Sequence, residues 1–137
     1  MTDQELMELA FEAQKKAYAP YSHFEVGAAL LTKEGKVYKG ANIENASFPV
    51  GICAERTALF TAVNEGEREF SAIAIVGKKR EDAQFSLCSP CGICRQGLRE
   101  FVNPKEFRVL LGSSTEDIHV YTLEEILPLS FGPENLL

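Results

Sequence analysis

Histidine is scarce in this 137-residue sequence: there are two, too few for a histidine-rich metal site. No stretch approaches the roughly 20 consecutive apolar residues that a membrane-spanning helix needs, so no membrane partner is expected. The segment MTDQELMELAFEAQKK is acidic and lacks the basic start, apolar centre and small-residue cleavage site of a secretory leader, which predicts a cytoplasmic protein. Basic charge is also short, with 14 Lys and Arg against 20 Asp and Glu and a net charge of −6. Nucleic-acid binders draw most of their non-specific affinity from neutralised phosphates and show a basic stripe, so no nucleic-acid partner is expected either. The one basic cluster, GKKRED at 77–82, cancels itself and reads as a solvated turn. A small neutral ligand suits this balance better. Repeats, linkers and low-complexity segments are missing, and the length predicts one domain over residues 1–137.

What is present has a clear periodic order. Leu6, Leu9, Ala10, Ala13 and Ala17 form the apolar stripe of an amphipathic helix over 3–17, capped by Thr2 or Asp3 and ended near Pro20. HFEVGAALLT, with Phe24, Val26, Ala28 and Leu30 on one side and small or apolar residues on the other, reads as a strand covered on both faces. KEGK then predicts a tight turn into VYKGANIEN and an antiparallel pair. Residues 54–65 predict a helix closed by Gly66, and AIAIVG at 72–77 a buried central strand. SPCGICRQGLREFV predicts a second helix opened by Ser89 and Pro90, followed by strands near 107–111 and 117–121. TLEEILP carries a capping box between Thr122 and Glu125, and the tail LSFGPENLL is rich in turns. The sum is an α/β fold, a mostly buried sheet covered by helices in three layers.

Four cysteines stand out, at 53, 88, 91 and 94. In a cytosolic chain they favour metal or redox chemistry over a disulfide framework. Cys91 and Cys94 are three apart at the start of a helix, where side chains at i and i+3 share a face. The positive end of the helix dipole and its free N–H groups favour thiolates there. Cys53 opens the other helix in the same way. Three thiolates on two helix N-termini form a coherent zinc site with the fourth position open, as catalytic zinc requires. Glu55 is the carboxyl such a site needs for moving protons to and from an activated water. On an ideal helix Glu55 and Cys53 diverge by about 200°, but a Cys53 at the helix cap lets both border one cavity. Three thiolates leave a zinc site negatively charged, and Arg56 is placed to offset this by hydrogen-bonding a ligating sulfur. Alternatives remain at this point: a redox pair of Cys91 and Cys94, a closed four-thiolate zinc including Cys88, and a solvated Arg56.

Cys-Ala-Glu at 53–55 together with Pro-Cys-x-x-Cys at 90–94 resembles the zinc-dependent nucleobase deaminases, whose pattern is H-x-E…P-C-x-x-C. Cys53 departs from the histidine of that pattern, and in this the chain is similar to the short all-cysteine cytidine deaminases that act on free nucleosides. PYSHFEVGAALL, GANIENASF, GICAERTALF, SPCGICRQ and LPLSFGPENL look like family segments in family order, so the resemblance spans nearly the whole chain. It implies a three-layer α/β/α sandwich with a mixed five-stranded sheet. It also implies hydrolytic deamination of cytidine and deoxycytidine to uridine and deoxyuridine, as in pyrimidine salvage. Cys53, Cys91 and Cys94 are implied as ligands of one Zn²⁺ per subunit and Glu55 as the proton shuttle. Backbone groups at Cys53 and Ala54 are implied to hold the pyrimidine edge, Phe24 to pack on the base, and Asn42 and Glu44 to bind the ribose. The family is usually a homotetramer, which makes Phe48 and Phe131 candidates for contacts between subunits.

Several of these residues have ordinary readings as well. Phe24 continues the apolar stripe of its strand, Phe131 is a tail aromatic, and Asn42 and Glu44 form a polar strand end whose i, i+2 spacing puts them on one face. Ile93 stands where a smaller residue is common and Phe48 where tyrosine is frequent. His23 and His119 are assigned no role. Competing functions are a deaminase of a modified cytosine nucleoside such as blasticidin S and a zinc-stabilised binding module. Glu55 and the acidic charge balance argue against the latter.

Overall fold

The computed structural model describes residues Met1–Leu137. Helix α1 runs over Asp3–Gln14, with the Thr2 side chain accepting the Glu5 N–H at 3.1 Å to cap it. It stops short of Ala17 because the chain turns at Lys15 and extends, so that Tyr18 can pair with Ile43. Strands β1 (Phe24–Thr32) and β2 (Val37–Ala41) follow as an antiparallel pair, joined through Gly35 at φ +99°, where a side chain would be strained. Helix α2 covers Ala54–Asn64, and Gly66, also at φ +99°, ends its last turn. Strand β3 (Phe70–Lys79) is longer than its apolar run because its ends pair with β1. Helix α3 is Gly92–Arg99, strands β4 and β5 are Arg108–Ser114 and Asp117–Thr122, and α4 is Leu123–Ile126. The expected capping box between Thr122 and Glu125 is formed.

The five strands lie in the order β2-β1-β3-β4-β5, with β3 and β4 parallel and the other neighbours antiparallel. A parallel pair needs a crossover, and α3 lies in it. Central β3 is apolar on both faces: Ile73 and Ile75 point into a core with Ala58 and Leu59 of α2, Leu98 of α3 and Leu123 of α4. Ala72, Ala74 and Val76 point the other way, into a core with Leu6, Met7 and Ala10 of α1. Two cores on opposite faces make the three-layer α/β/α sandwich, with its mixed five-stranded sheet, that the sequence leads one to expect. No helix is long and apolar enough to cross a membrane.

Two further boundaries differ from expectation, and both matter for the site. β2 ends at Ala41, so Asn42 and Glu44 lie just beyond the strand; Ile43 between them makes single bridges to Tyr18 and Ile52, which keeps the segment extended. α3 starts at Gly92, because Cys91 has extended backbone (φ −66°, ψ 165°) and Ser89 and Pro90 precede the helix.

Gly40 sets how closely the sheet approaches α2: a Cβ there would lie 2.5 Å from both the Ala54 carbonyl oxygen and the Ala58 nitrogen. That is rigid helix backbone. Gly40→Ala is expected to destabilise the chain by about 1–3 kcal/mol through overpacking, read as a lower urea midpoint at unchanged slope.

Candidate active site

The site begins with two helix caps. Cys53 is the N-cap of α2 and Cys91 the N-cap of α3, both with extended backbone, and neither side chain caps its own helix. Their sulfurs are thus free to face each other, 3.9 Å apart. Cys94, in the first turn of α3, is fully buried, and its sulfur completes a cluster in which all three ligand atoms lie within 4.8 Å of one another. A tetrahedral ion with Zn–S bonds of about 2.3 Å separates its sulfurs by about 3.8 Å, so the cluster fits zinc. Thiolate softness points the same way. Cys53 and Cys91 line a cavity of about 660 Å³, so an ion held by the three would have its fourth side toward that space.

Glu55, in the first turn of α2, is 4% exposed and lines the same cavity. Cys53 lies outside the helix proper, so the divergence expected for two helical residues does not apply. Burial pushes the Glu55 carboxyl up to about 7, and the Cys53 thiolate adds to the rise. Cys53 itself is held well below the usual thiol range, first by a hydrogen bond from the Cys94 thiol and then by Arg56 and Cys91. Arg56 donates from a terminal nitrogen to Cys53 Sγ at 3.5 Å. Its Nε is buried without a partner, so the cation is held near the sulfurs without a full set of acceptors.

Cys88 stays outside the cluster. Its thiol packs where Gly77 has no side chain: a Cβ there would lie 2.8 Å from Cys88 Sγ and 3.2 Å from both Phe24 and Val26. Burial pushes this thiol up to about 11. Phe24 sits where the β1 stripe runs past the start of α2, so its ring lines the cavity although the stripe reads as core. Ala54, Asn42, Glu44 and Phe48 line the cavity too. Phe48 is 76% exposed and meets Tyr21 edge to face at 6.1 Å. Phe131 does not reach this cavity and is 56% exposed on the tail.

Asn42 accepts the Val26 N–H at 2.9 Å and donates to the Phe24 carbonyl at 2.7 Å. One amide hydrogen and one lone pair remain for a ligand. Glu44 accepts from the backbone of Tyr21 and Ser22 at 3.0 and 3.1 Å and from the Ser22 hydroxyl. Tyr21 and Ser22 escape a reading by motif, because backbone donors leave no side-chain signature.

Over residues 1–110 the sequence matches the family described as "Cytidine and deoxycytidylate deaminase zinc-binding region". The chain belongs to the cytidine and deoxycytidylate deaminase family. It is 46% identical to the cytidine deaminase of Halalkalibacterium halodurans, with 99% of this chain and 98% of that protein covered. Its fold superposes on the crystal structure of cytidine deaminase from Burkholderia pseudomallei with a TM-score of 0.84 and 46% identity, covering 96% of this chain and all of that one. For the cytidine deaminase structure from Mycobacterium tuberculosis the TM-score is 0.79 at 32% identity, covering 96% and 98% of the two chains. In this deaminase the three-cysteine cluster falls within the matched zinc-binding region.

Two expectations follow for the deaminase in solution. Cys53→Ser, Cys91→Ser and Cys94→Ser each lose bound zinc, whereas Cys88→Ser retains about one ion per chain, by elemental analysis of purified protein. The second concerns Glu55. Its folded value is raised from 4.5 to about 7, so the metal-free folded chain binds the extra proton between those limits. Stability from this group is therefore full below pH 4.5 and lost as pH rises through about 7. With metal chelated, the stability of wild type relative to Glu55→Gln should fall by about 3 kcal/mol between pH 4 and pH 8, measured by urea unfolding at each pH.

Proposed function

We propose that this chain is a cytidine deaminase that hydrolyses free cytidine and deoxycytidine to uridine and deoxyuridine with release of ammonia, a cytoplasmic step of pyrimidine salvage. One observation carries the reading: the buried Glu55 carboxyl lines the same cavity as Cys53 and Cys91 of the three-cysteine cluster. A structural zinc has no use for that carboxyl.

The three cysteines hold one Zn²⁺ per subunit. When bound, the ion acts as a Lewis acid that brings the pKa of a water nucleophile close to neutral. Glu55, whose carboxyl burial raises in the metal-free chain, takes a proton from the attacking water and delivers it to the pyrimidine ring nitrogen beside C4. It then takes the second water proton from the new C4 hydroxyl and passes it to the amino group, so that the C4–N bond breaks, the C4 oxygen is retained as the carbonyl and ammonia leaves. Arg56, hydrogen-bonded to Cys53, offsets part of the thiolate charge. Phe24 packs against the base, and the backbone at Cys53 and Ala54 meets the edge of the ring. Asn42 and Glu44 take the sugar hydroxyls. An ionised Glu44 in that part of the cavity disfavours a phosphate nearby, which selects nucleosides over nucleotides and polynucleotides.

The domain acts as a unit over residues 1–137, assembled as a homotetramer. Exposure of Phe48 at the cavity mouth and of Phe131 on the tail supports contacts of these rings with neighbouring subunits.

The test is an ultraviolet deamination assay on zinc-loaded protein. Wild type is expected to lower absorbance near the cytidine maximum. Glu55→Ala should retain zinc but lose about 10²–10⁴-fold or more in rate. Equal rates for the two proteins would overturn the mechanism. Faster turnover of blasticidin S than of cytidine would move the reading to deaminases of modified cytosine nucleosides.

A further inference from the structure

The chain between α1 and β1 runs along the rim of the cavity, and no chemistry has been assigned to it. It is knitted to the segment after β2. Tyr18 N–H donates to the Asn42 carbonyl at 2.9 Å, and Glu44 N–H donates to the Tyr18 carbonyl at 2.8 Å. Beyond Tyr18 the backbone curls: His23 N–H donates to the Ala19 carbonyl at 3.0 Å, and His23 adopts φ 59°, rare for a residue with a side chain. Arg80 holds the curl from outside, its N–H donating to the His23 carbonyl at 2.7 Å and its guanidinium to the Ala19 carbonyl.

The curl aims three donors at one carboxylate. Glu44 Oε1 accepts from the N–H groups of Tyr21 and Ser22, and Oε2 accepts the Ser22 hydroxyl. Oε1 is then filled, and Oε2 keeps one lone pair for a further donor. The Ser22 oxygen also accepts the Phe24 N–H at 3.0 Å, while the Phe24 carbonyl accepts from Asn42. Ser22 thus stands between the carboxylate and the main chain that carries the Phe24 ring, and both border the cavity.

We propose that Ser22 is a positioning residue that presents the free lone pair of Glu44 to a 2′- or 3′-hydroxyl of the sugar and ties that contact to Phe24. This rests on the nucleoside reading above. Without the hydroxyl, Oε2 loses its only protein donor and the carboxylate can swing about the two backbone donors on Oε1. The Phe24 N–H loses its acceptor at the same time. The cost should fall on substrate binding, because Ser22 touches neither the thiolates nor Glu55.

The experiment compares wild type, Ser22→Ala and Ser22→Thr on cytidine and on 2′,3′-dideoxycytidine, with zinc content and the unfolding midpoint measured alongside. On cytidine, Ser22→Ala should raise KM on the order of tenfold with kcat within about twofold, the effect of losing a hydrogen bond to a charged group. Ser22→Thr, which retains the hydroxyl, should recover most of the loss. On the dideoxy nucleoside, which lacks the 2′- and 3′-hydroxyls, the KM of Ser22→Ala should approach that of wild type. Should Ser22→Ala fail to fold, Ser22→Cys serves, since its weak donor should give the same substrate-dependent rise. An equal KM rise on both nucleosides, or none on cytidine, would overturn the proposal. No turnover of cytidine by wild type would remove the nucleoside reading itself, an outcome distinguishable because it needs no variant.

Discussion

Two helix N-caps meet on one face of the sheet, and the rest of the site depends on that meeting. Cys53 and Cys91 each hold an extended backbone immediately before a helix, so their sulfurs leave the helix surface and approach to 3.9 Å. Each sulfur has unpaired N–H groups and the positive end of a helix dipole at its back. The close passage of β2 against α2 at Gly40 sets one cap, and the α3 crossover between parallel β3 and β4 sets the other. If either helix slid by a turn, about 5.4 Å, the cluster would be lost.

The same packing produces the electrostatics. Where α2 begins, the layer of apolar side chains under it gives way to the cavity, and Glu55 sits at that edge with its carboxyl mostly removed from water. Desolvation favours its protonated form, while Arg56 and the neighbouring thiols favour charge on Cys53. Two acidic groups two residues apart are pushed in opposite directions because one has donors and a cation and the other has burial. A carboxyl poised near neutrality beside a soft-metal cluster is the arrangement that proton transfer to and from water calls for.

Helix α3 also organises the far end of the chain. Arg95 donates to the Pro90 carbonyl before Cys91 and to the Ile126 carbonyl after α4. Gln96 holds the Phe131 carbonyl, and Arg99 holds Ser130 and pairs with Glu134. Gly132 lets the tail lie flat there, since a Cβ would fall 2.4 Å from the Arg99 guanidinium carbon. One short helix thus supplies two sulfurs at its start and the anchor of the tail along its length.

The elements were legible in the chain because they rest on local physics. Apolar periodicity, the Thr122–Glu125 capping box and the glycine after α2 each act within a few residues, and the C-A-E and P-C-x-x-C patterns mark Glu55 and the three cysteines as the candidate site. Distances between remote segments are another matter, because they are set by side-chain packing between layers. That packing brings Cys53 to Cys91 across 38 positions, leaves Cys88 in the space vacated by Gly77, and turns the first residue of an apolar stripe, Phe24, toward a cavity. It also aims the backbone of Tyr21 and Ser22 at Glu44. Residue types and their spacing therefore decided which groups are candidates for the chemistry. The tertiary structure alone decided which groups hold them, because backbone donors and close approaches exist only once the layers have packed.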